Sequence, residues 1–384
     1  MPNGRRTRIL IVDDSAVMRS LLRTVVSIDH TLEVAGTATD GASALQSIAS
    51  LRPDLMLLDV EMPVMDGLVT LKKMRSLGHR IPVIMCSSAT QRGARVTVEA
   101  LANGASDYVA KPAGQADREA AIRALSQDLL PKIHALTTTA LRKGQTQPAS
   151  MGLSSLAGLS SLAPLASFPS AGGQTISTVP TLLAIGVSTG GPAALDEVLP
   201  SLPSYFPLPV LVVQHMPELF TRQLADRLNG RCRLKVREAA EGDTVVPGII
   251  SIARGNWHME VVAPGRAGLP PTLHLTQGPP ENHCRPAVDV LFRSAAAAYG
   301  AGVLAVVLTG MGCDGLAGCR ILRGLGGAVL AQDETTSIVW GMPGAVATAG
   351  LAQRVLPLAA IAPEILRLTS RNKSEAHALR ESVV

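Results

Sequence analysis

Residues 182–195 read LLAIGVSTGGPAAL: six apolar residues, then Ser-Thr, two glycines, a proline and a renewed apolar stretch. So short an apolar run, bounded by Gly and Pro, has the form of a buried strand, and Gly-Gly-Pro after it makes an abrupt entry into a helix. The strand ends on Ser188, which sits exposed on a turn whose backbone N–H groups point at any anion beside it. On the turn alone two chemistries stay open: a serine nucleophile with its oxyanion site, or a cradle for phosphate or a nucleotide.

Downstream, the apolar run 210–213 continues through Gln214 and closes on His215, and 303–308 empties into TGMGCDG, which carries Asp314. Further strands are expected at 249–253 and 328–331, with helical patterns at 193–199, 219–228, 288–299 and 315–325. In parallel sheets functional groups gather at the carboxyl ends of the strands. Ser188, His215 and Asp314 would meet there as nucleophile, general base and orienting acid. His258, His274 and His283 close no comparably clear strand. GVSTG also fits the G-x-S-x-G elbow of lipase-type enzymes, which run Ser…Asp…His and would need Asp243 or Asp289 with a later histidine.

Upstream, β-rich runs at 8–12, 33–37, 55–59, 82–87 and 107–110 alternate with helical patterns at 16–27, 41–50, 67–77, 92–102 and 117–130. Five strand–helix repeats predict a doubly wound parallel sheet. Asp13 and Asp14 close its first strand and Asp59 its third, and the topology sets those strands side by side. Three converging carboxylates repel unless a hard cation sits among them, and Mg²⁺ suits oxygen ligands while leaving positions for phosphate oxygens. Beside such a metal an aspartate can accept a phosphoryl group. Ser87 and Lys111, at neighbouring strand ends, would supply a hydroxyl and a cation to it.

The chain has 384 residues, 47% of them hydrophobic, but only two Trp, three Tyr and four Phe, so its cores must be aliphatic. Two α/β domains are expected: 1–130, then a low-complexity linker over 131–180, a second domain over 181–370 and a polar, frayed tail over 371–384. From Gly144 to Leu195 no residue is charged, and Leu153, Leu156, Leu159, Leu162 and Leu165 recur every third residue, which is not a helical period. The net charge of +5 is scattered, with few aromatics for base stacking, which excludes a nucleic-acid reader. No apolar stretch is long enough for membrane insertion. Five cysteines without framework spacing fit a cytoplasmic protein. A zinc site from His283, Cys284, Cys313 and Cys319 is conceivable, but the spacing follows no familiar pattern.

These motifs also carry two resemblances. DD at 13–14, LLDVEMPVMDG at 57–67 and KP at 111–112 resemble a response-regulator receiver domain of flavodoxin-like fold. That resemblance implies Asp59 as phospho-acceptor, Mg²⁺ held by Asp13, Asp14 and Asp59, and Ser87, Tyr108 and Lys111 as switch residues. Its implied phosphoryl donor is a histidine kinase. IGVSTGGPAAL, VVQHMPELFTRQLADRLN, APG, CRPAVDVLF and VVLTGMGCDGLAG resemble the catalytic domain of the CheB family of chemotaxis protein-glutamate methylesterases, over about 182–365. This second resemblance implies Ser188, His215 and Asp314 as the triad, oxyanion donors near Thr189 and Met311, and no cofactor in the esterase domain. Its implied substrates are methylated glutamates on chemoreceptor cytoplasmic helices, with glutamine deamidation as a related activity. Phosphorylation would relieve inhibition by the receiver. The alternatives are a non-chemotaxis receptor array as substrate, or a scaffold whose esterase is silent.

Overall fold

The computed structural model describes residues 5–112, 117–145, 179–266 and 268–381, with side chains excluded at 139–145 and 371–381. The first half contains β1 (Thr7–Val12), α1 (Ala16–Ile28), β2 (Leu32–Ala38), α2 (Gly41–Leu51), β3 (Leu55–Asp59) and α3 (Gly67–Ser76). It continues with β4 (Val83–Ser87), α4 (Gln91–Ala102), β5 (Asp107–Ala110) and α5 (Arg118–Gln145). Every strand pair is parallel, in the order β2-β1-β3-β4-β5. Strands β3 and β4 are buried throughout, because helices cover both faces of the sheet. Short polar side chains fix where helices begin: Asp40 accepts from the backbone N–H groups of Ala42 and Ser43, Asp66 from Val69, and Thr90 from Gly93. Such a cap is worth about 1 kcal/mol.

The expected linker boundary at 131 falls inside α5, which runs through Pro131 to Gln145. A mid-helix proline costs ~3 kcal/mol. The stripe Leu125, Leu129, Ile133 and Leu136 is buried against the first-half core, at about 1.5–3 kcal/mol per side chain. Packing therefore outweighs the proline. Residues 146–178 of the expected linker lie outside the described residues.

The second half contains β6 (Leu182–Val187), α6 (Gly191–Val198), β7 (Val210–Gln214), α7 (Glu218–Asn229), β8 (Lys235–Glu238) and β9 (Ile249–Ile252). An antiparallel hairpin, β10 (His258–Val262) and β11 (Thr272–Thr276), follows, then α8 (Val288–Tyr299), β12 (Val303–Val307) and α9 (Leu316–Gly324). The last elements are β13 (Ala328–Gln332), α10 (Met342–Thr348), β14 (Arg354–Leu356) and α11 (Leu358–Glu381). The seven-stranded parallel sheet runs β14-β13-β12-β6-β7-β9-β8. Thus β6 lies between β12 and β7, and the three strands that lead to Ser188, His215 and Asp314 are neighbours. The tail expected to fray from 371 is helical as far as Glu381.

The halves are in contact: α4 packs on α6 and α7, and one buried apolar cluster draws side chains from both. No helix among the described residues is long and apolar enough to cross a membrane.

Candidate active site

Ser188 follows β6 directly, and its N–H donates to Thr309 O at 3.0 Å, tying the turn to the end of β12. Gly190 holds a φ of +78° at the helix cap, in the left-handed region that favours glycine. A methyl group on Gly191 would collide with Gln214 Oε1. The Gln214 amide donates to Ser188 O at 3.0 Å, bracing the turn from β7. His215 N donates to Val187 O at 3.2 Å, which brings the histidine to the same edge.

His215 Nε2 lies 2.8 Å from Asp314 Oδ2. That same oxygen accepts from Val288 N at 2.6 Å, while Asp314 Oδ1 accepts from Asp289 N, Gly315 N and Asn282 Nδ2, each at 3.0 Å. Burial would raise the Asp314 carboxyl, but His215 and these N–H donors hold it below its usual range. Asp314 is therefore ionised, and Nε2 carries the hydrogen between them. Burial would likewise lower the His215 imidazole, yet Asp314 and Cys284 lift it to about 9. Its other nitrogen, Nδ1, lies 3.5 Å from Cys284 Sγ. Asn282 Nδ2 also reaches Asp289 Oδ2 at 3.0 Å, so one amide separates two buried carboxylates.

Ser188, Thr189, His215, Cys284 and Met311 line one cavity of about 770 Å³. Among the described residues Ser188 Oγ makes no hydrogen bond to His215, and the backbone N–H groups of Thr189 and Met311 have no acceptor. Both are free to meet a developing oxyanion. His258 is buried and bonded to Pro279 O and Ala287 N, and His274 pairs with Glu241. Asp289 accepts from Gly318 N and Asn282, not from a histidine, and Asp243 pairs with Arg237. The grouping of His283, Cys284, Cys313 and Cys319 is not formed. The clusters with ligand atoms in mutual reach among the described residues are His215–Cys284–Asp314 and Asp13–Asp14–Asp59.

At the second cluster Asp13 and Asp59 are buried and Asp14 is exposed. Lys111 Nζ lies 2.8 Å from Asp13 Oδ2 and 2.7 Å from Asp59 Oδ1. Burial pushes the Asp59 carboxyl up, Asp13 adds to that, and Lys111 opposes it. Asp13 Oδ2 is buried without an aligned hydrogen-bond donor, although the ammonium is near. Ser87 is buried and donates to Ser88 O at 3.2 Å.

Residues of the first half line the same cavity, Asp107, Tyr108 and Lys132 among them. Thr189 Oγ1 donates to Asp107 Oδ2 at 2.6 Å in a buried contact, and Tyr108 stacks on Phe220 with ring centroids 4.6 Å apart. Lys132 Nζ donates to Tyr108 O at 2.7 Å and lies 5.2 Å from its ring centroid. Burial raises the Asp107 carboxyl, and Lys132 and Thr189 partly counter it. Sequence reasoning missed Asp107, Lys132, Phe220 and Asn282. An acid opening a buried strand without capping a helix is the one signal that could have flagged Asp107.

Two parallel sheets, one ending in an acidic cluster and one in a serine turn with a His–Asp pair, make a two-domain α/β protein whose second domain carries a candidate hydrolytic site. The response regulator receiver domain family matches residues 9–123, and the CheB methylesterase family matches residues 183–365. A "Protein-glutamate methylesterase/protein-glutamine glutaminase" of Nocardioides sp. (strain ATCC BAA-499 / JS614) is 50% identical over 95% of this chain and 96% of its own length. One of the same name from Trichodesmium erythraeum is 46% identical over 94% of this chain and 98% of its own. The crystal structure of the Thermotoga maritima CheB methylesterase catalytic domain covers 50% of this chain and 100% of its own, at 41% identity and a TM-score of 0.48. This chain belongs to the CheB methylesterase family: it is a methylesterase and glutaminase with an N-terminal receiver domain.

Proposed function

We propose that the enzyme hydrolyses glutamate γ-methyl esters on chemoreceptor cytoplasmic helices through a glutamyl-enzyme on Ser188, and that phosphorylation of Asp59 by a histidine kinase releases it from inhibition. Neutral His215, its Nε2–H held by Asp314, takes the Ser188 proton on Nδ1 as Oγ attacks the ester carbon. The N–H groups of Thr189 and Met311 receive the oxyanion, each such donor being worth about 3 kcal/mol. His215 returns the proton to the departing methoxide, and methanol leaves. Water, activated by the same imidazole, then hydrolyses the glutamyl ester and restores Ser188. A glutamine side chain follows the same course, with ammonia as the leaving group.

The observation that carries this reading is the 2.8 Å His215–Asp314 pair, whose histidine lines one cavity with Ser188. Ser188→Ala tests it: methanol release from methylated receptors should vanish while phosphorylation persists. Unchanged release would overturn it.

For regulation, the supporting observation is that Asp107 and Tyr108, which line the cavity, engage Thr189 and Phe220 of the second half. Tyr108 is itself a switch residue, so reordering around a phosphorylated Asp59 pulls on the contact that closes the site. Asp13, Asp14 and Asp59 fit Mg²⁺: they offer carboxylate oxygens in mutual reach, one of them buried without an aligned donor. Mg²⁺ held there would neutralise their charge and support phosphoryl transfer to Asp59. Lys111, paired with both Asp13 and Asp59, would counter the remaining charge.

A further inference from the structure

We propose that Cys284 and His215 form a Zn²⁺ site inside the catalytic cavity, occupied to the exclusion of catalysis. Cys284 Sγ lies 3.5 Å from His215 Nδ1. Tetrahedral zinc, with bonds of about 2.3 Å to sulfur and about 2.0 Å to nitrogen, holds a thiolate and an imidazole about 3.5 Å apart. The two side chains already stand at the separation the ion would impose.

The far side of the ring is prepared as well. Histidines that bind zinc donate their second ring N–H to a carboxylate, which fixes tautomer and orientation. Asp314 accepts at 2.8 Å and is immobilised by four further N–H donors, so it acts as an outer partner and not as a ligand. The remaining coordination positions face the cavity of about 770 Å³, where water would fill them. A thiolate–imidazole pair favours zinc over the harder Mg²⁺.

Binding displaces the thiol proton to solvent as the Sγ–Zn bond forms, and the imidazole donates its Nδ1 lone pair to the ion. That lone pair is the one that must receive the Ser188 proton. Zinc and proton transfer thus exclude each other, and removal of the metal restores the enzyme. The inhibitory consequence rests on the serine mechanism proposed above, whereas metal binding does not.

The test uses the full chain with excess Mg²⁺, so that carboxylate sites are filled. Co²⁺ is the spectroscopic probe, because thiolate ligation gives a near-ultraviolet charge-transfer band that carboxylates do not. One equivalent should produce the band, Zn²⁺ should displace it, and low-micromolar Zn²⁺ should abolish methanol release in a way EDTA reverses. Cys284→Ala should lose the band and the zinc sensitivity of whatever activity remains, while Cys313→Ser keeps both. Absence of the band in the natural chain, its survival in Cys284→Ala, or its loss in Cys313→Ser overturns the proposal. So does thiolate ligation at Cys284 that leaves methanol release unchanged. Failure of the serine mechanism would show separately, as activity in Ser188→Ala.

Discussion

Replacing Asp107 by alanine isolates the contact between the receiver and the catalytic turn. The Thr189 hydroxyl donates to Asp107 at 2.6 Å in a buried setting, so the substitution leaves a buried donor without an acceptor. That costs about 1–3 kcal/mol, and only while the two domains are docked. Since 1.4 kcal/mol is tenfold, the docking constant should fall by roughly 5- to 150-fold. The assay is the initial rate of methanol release from methylated receptor membranes, with and without a small-molecule phosphodonor. Basal rate should rise toward the phosphorylated rate, which itself should not change, so that stimulation shrinks by the same factor. Asp107→Asn keeps an acceptor oxygen and should lie between. An Asp107→Ala enzyme with its basal rate and its full stimulation intact would refute the reasoning, because the bond would then close nothing.

Four further outcomes are expected. Lys111→Ala should abolish stimulation by the phosphodonor while leaving basal methanol release in place, since the Lys111 ammonium pairs with Asp13 and Asp59 and not with the Ser188 turn; the paired rates decide. Asn282→Ala removes the amide between Asp289 and Asp314, and kcat should fall about 5- to 150-fold for ~1–3 kcal/mol with KM little changed, read from steady-state kinetics. Basal activity of the unphosphorylated chain should climb with pH from 7 toward about 9. His215 is raised above its usual 6.5 to about 9 by Asp314 and Cys284, and in the proposed mechanism only its deprotonated form, the minority at pH 7, takes the serine proton; a flat profile from pH 7 to 9 would contradict this. Gly310→Ala places a methyl 2.8 Å from Ser188 Cβ, and should lower thermal stability by ~1–3 kcal/mol and reduce activity more than stability, measured by calorimetry alongside rate.

The parallel strands were legible because burial on both faces writes them as unbroken apolar runs, as in LLAIGV and VLVVQ. The strands that escaped notice sit where that rule lapses. Strand β8 is KVRE at a sheet edge with an exposed lysine, β14 is three largely exposed residues, and β10–β11 is a hairpin outside the main sheet. Ser188, His215 and Asp314 could be read because each directly follows a strand or its glycine turn. Asn282 could not, nor could the place of Cys284 beside His215, since both residues come from the loop before α8, whose path no local pattern encodes. Asp107 and Thr189 look like an ordinary strand-opening acid and a turn threonine until the two domains are seen together. The reach of α5 past Pro131 was hidden for a related reason: proline is a local signal, while the buried stripe that overrides it depends on the receiver core.

The clasp on Thr189 has a consequence at the level of the signal. On the proposed function, a receptor helix and the receiver would compete for the turn beside Ser188, so the receptor would bind the undocked arrangement that phosphorylation is proposed to favour. By thermodynamic reciprocity each must then promote the other. A densely methylated receptor array would hold the enzyme open and favour its phosphorylated form. As the esters are consumed that support would fall away and the clasp would re-form. The extent of methylation would thus help time its own removal, with no additional messenger.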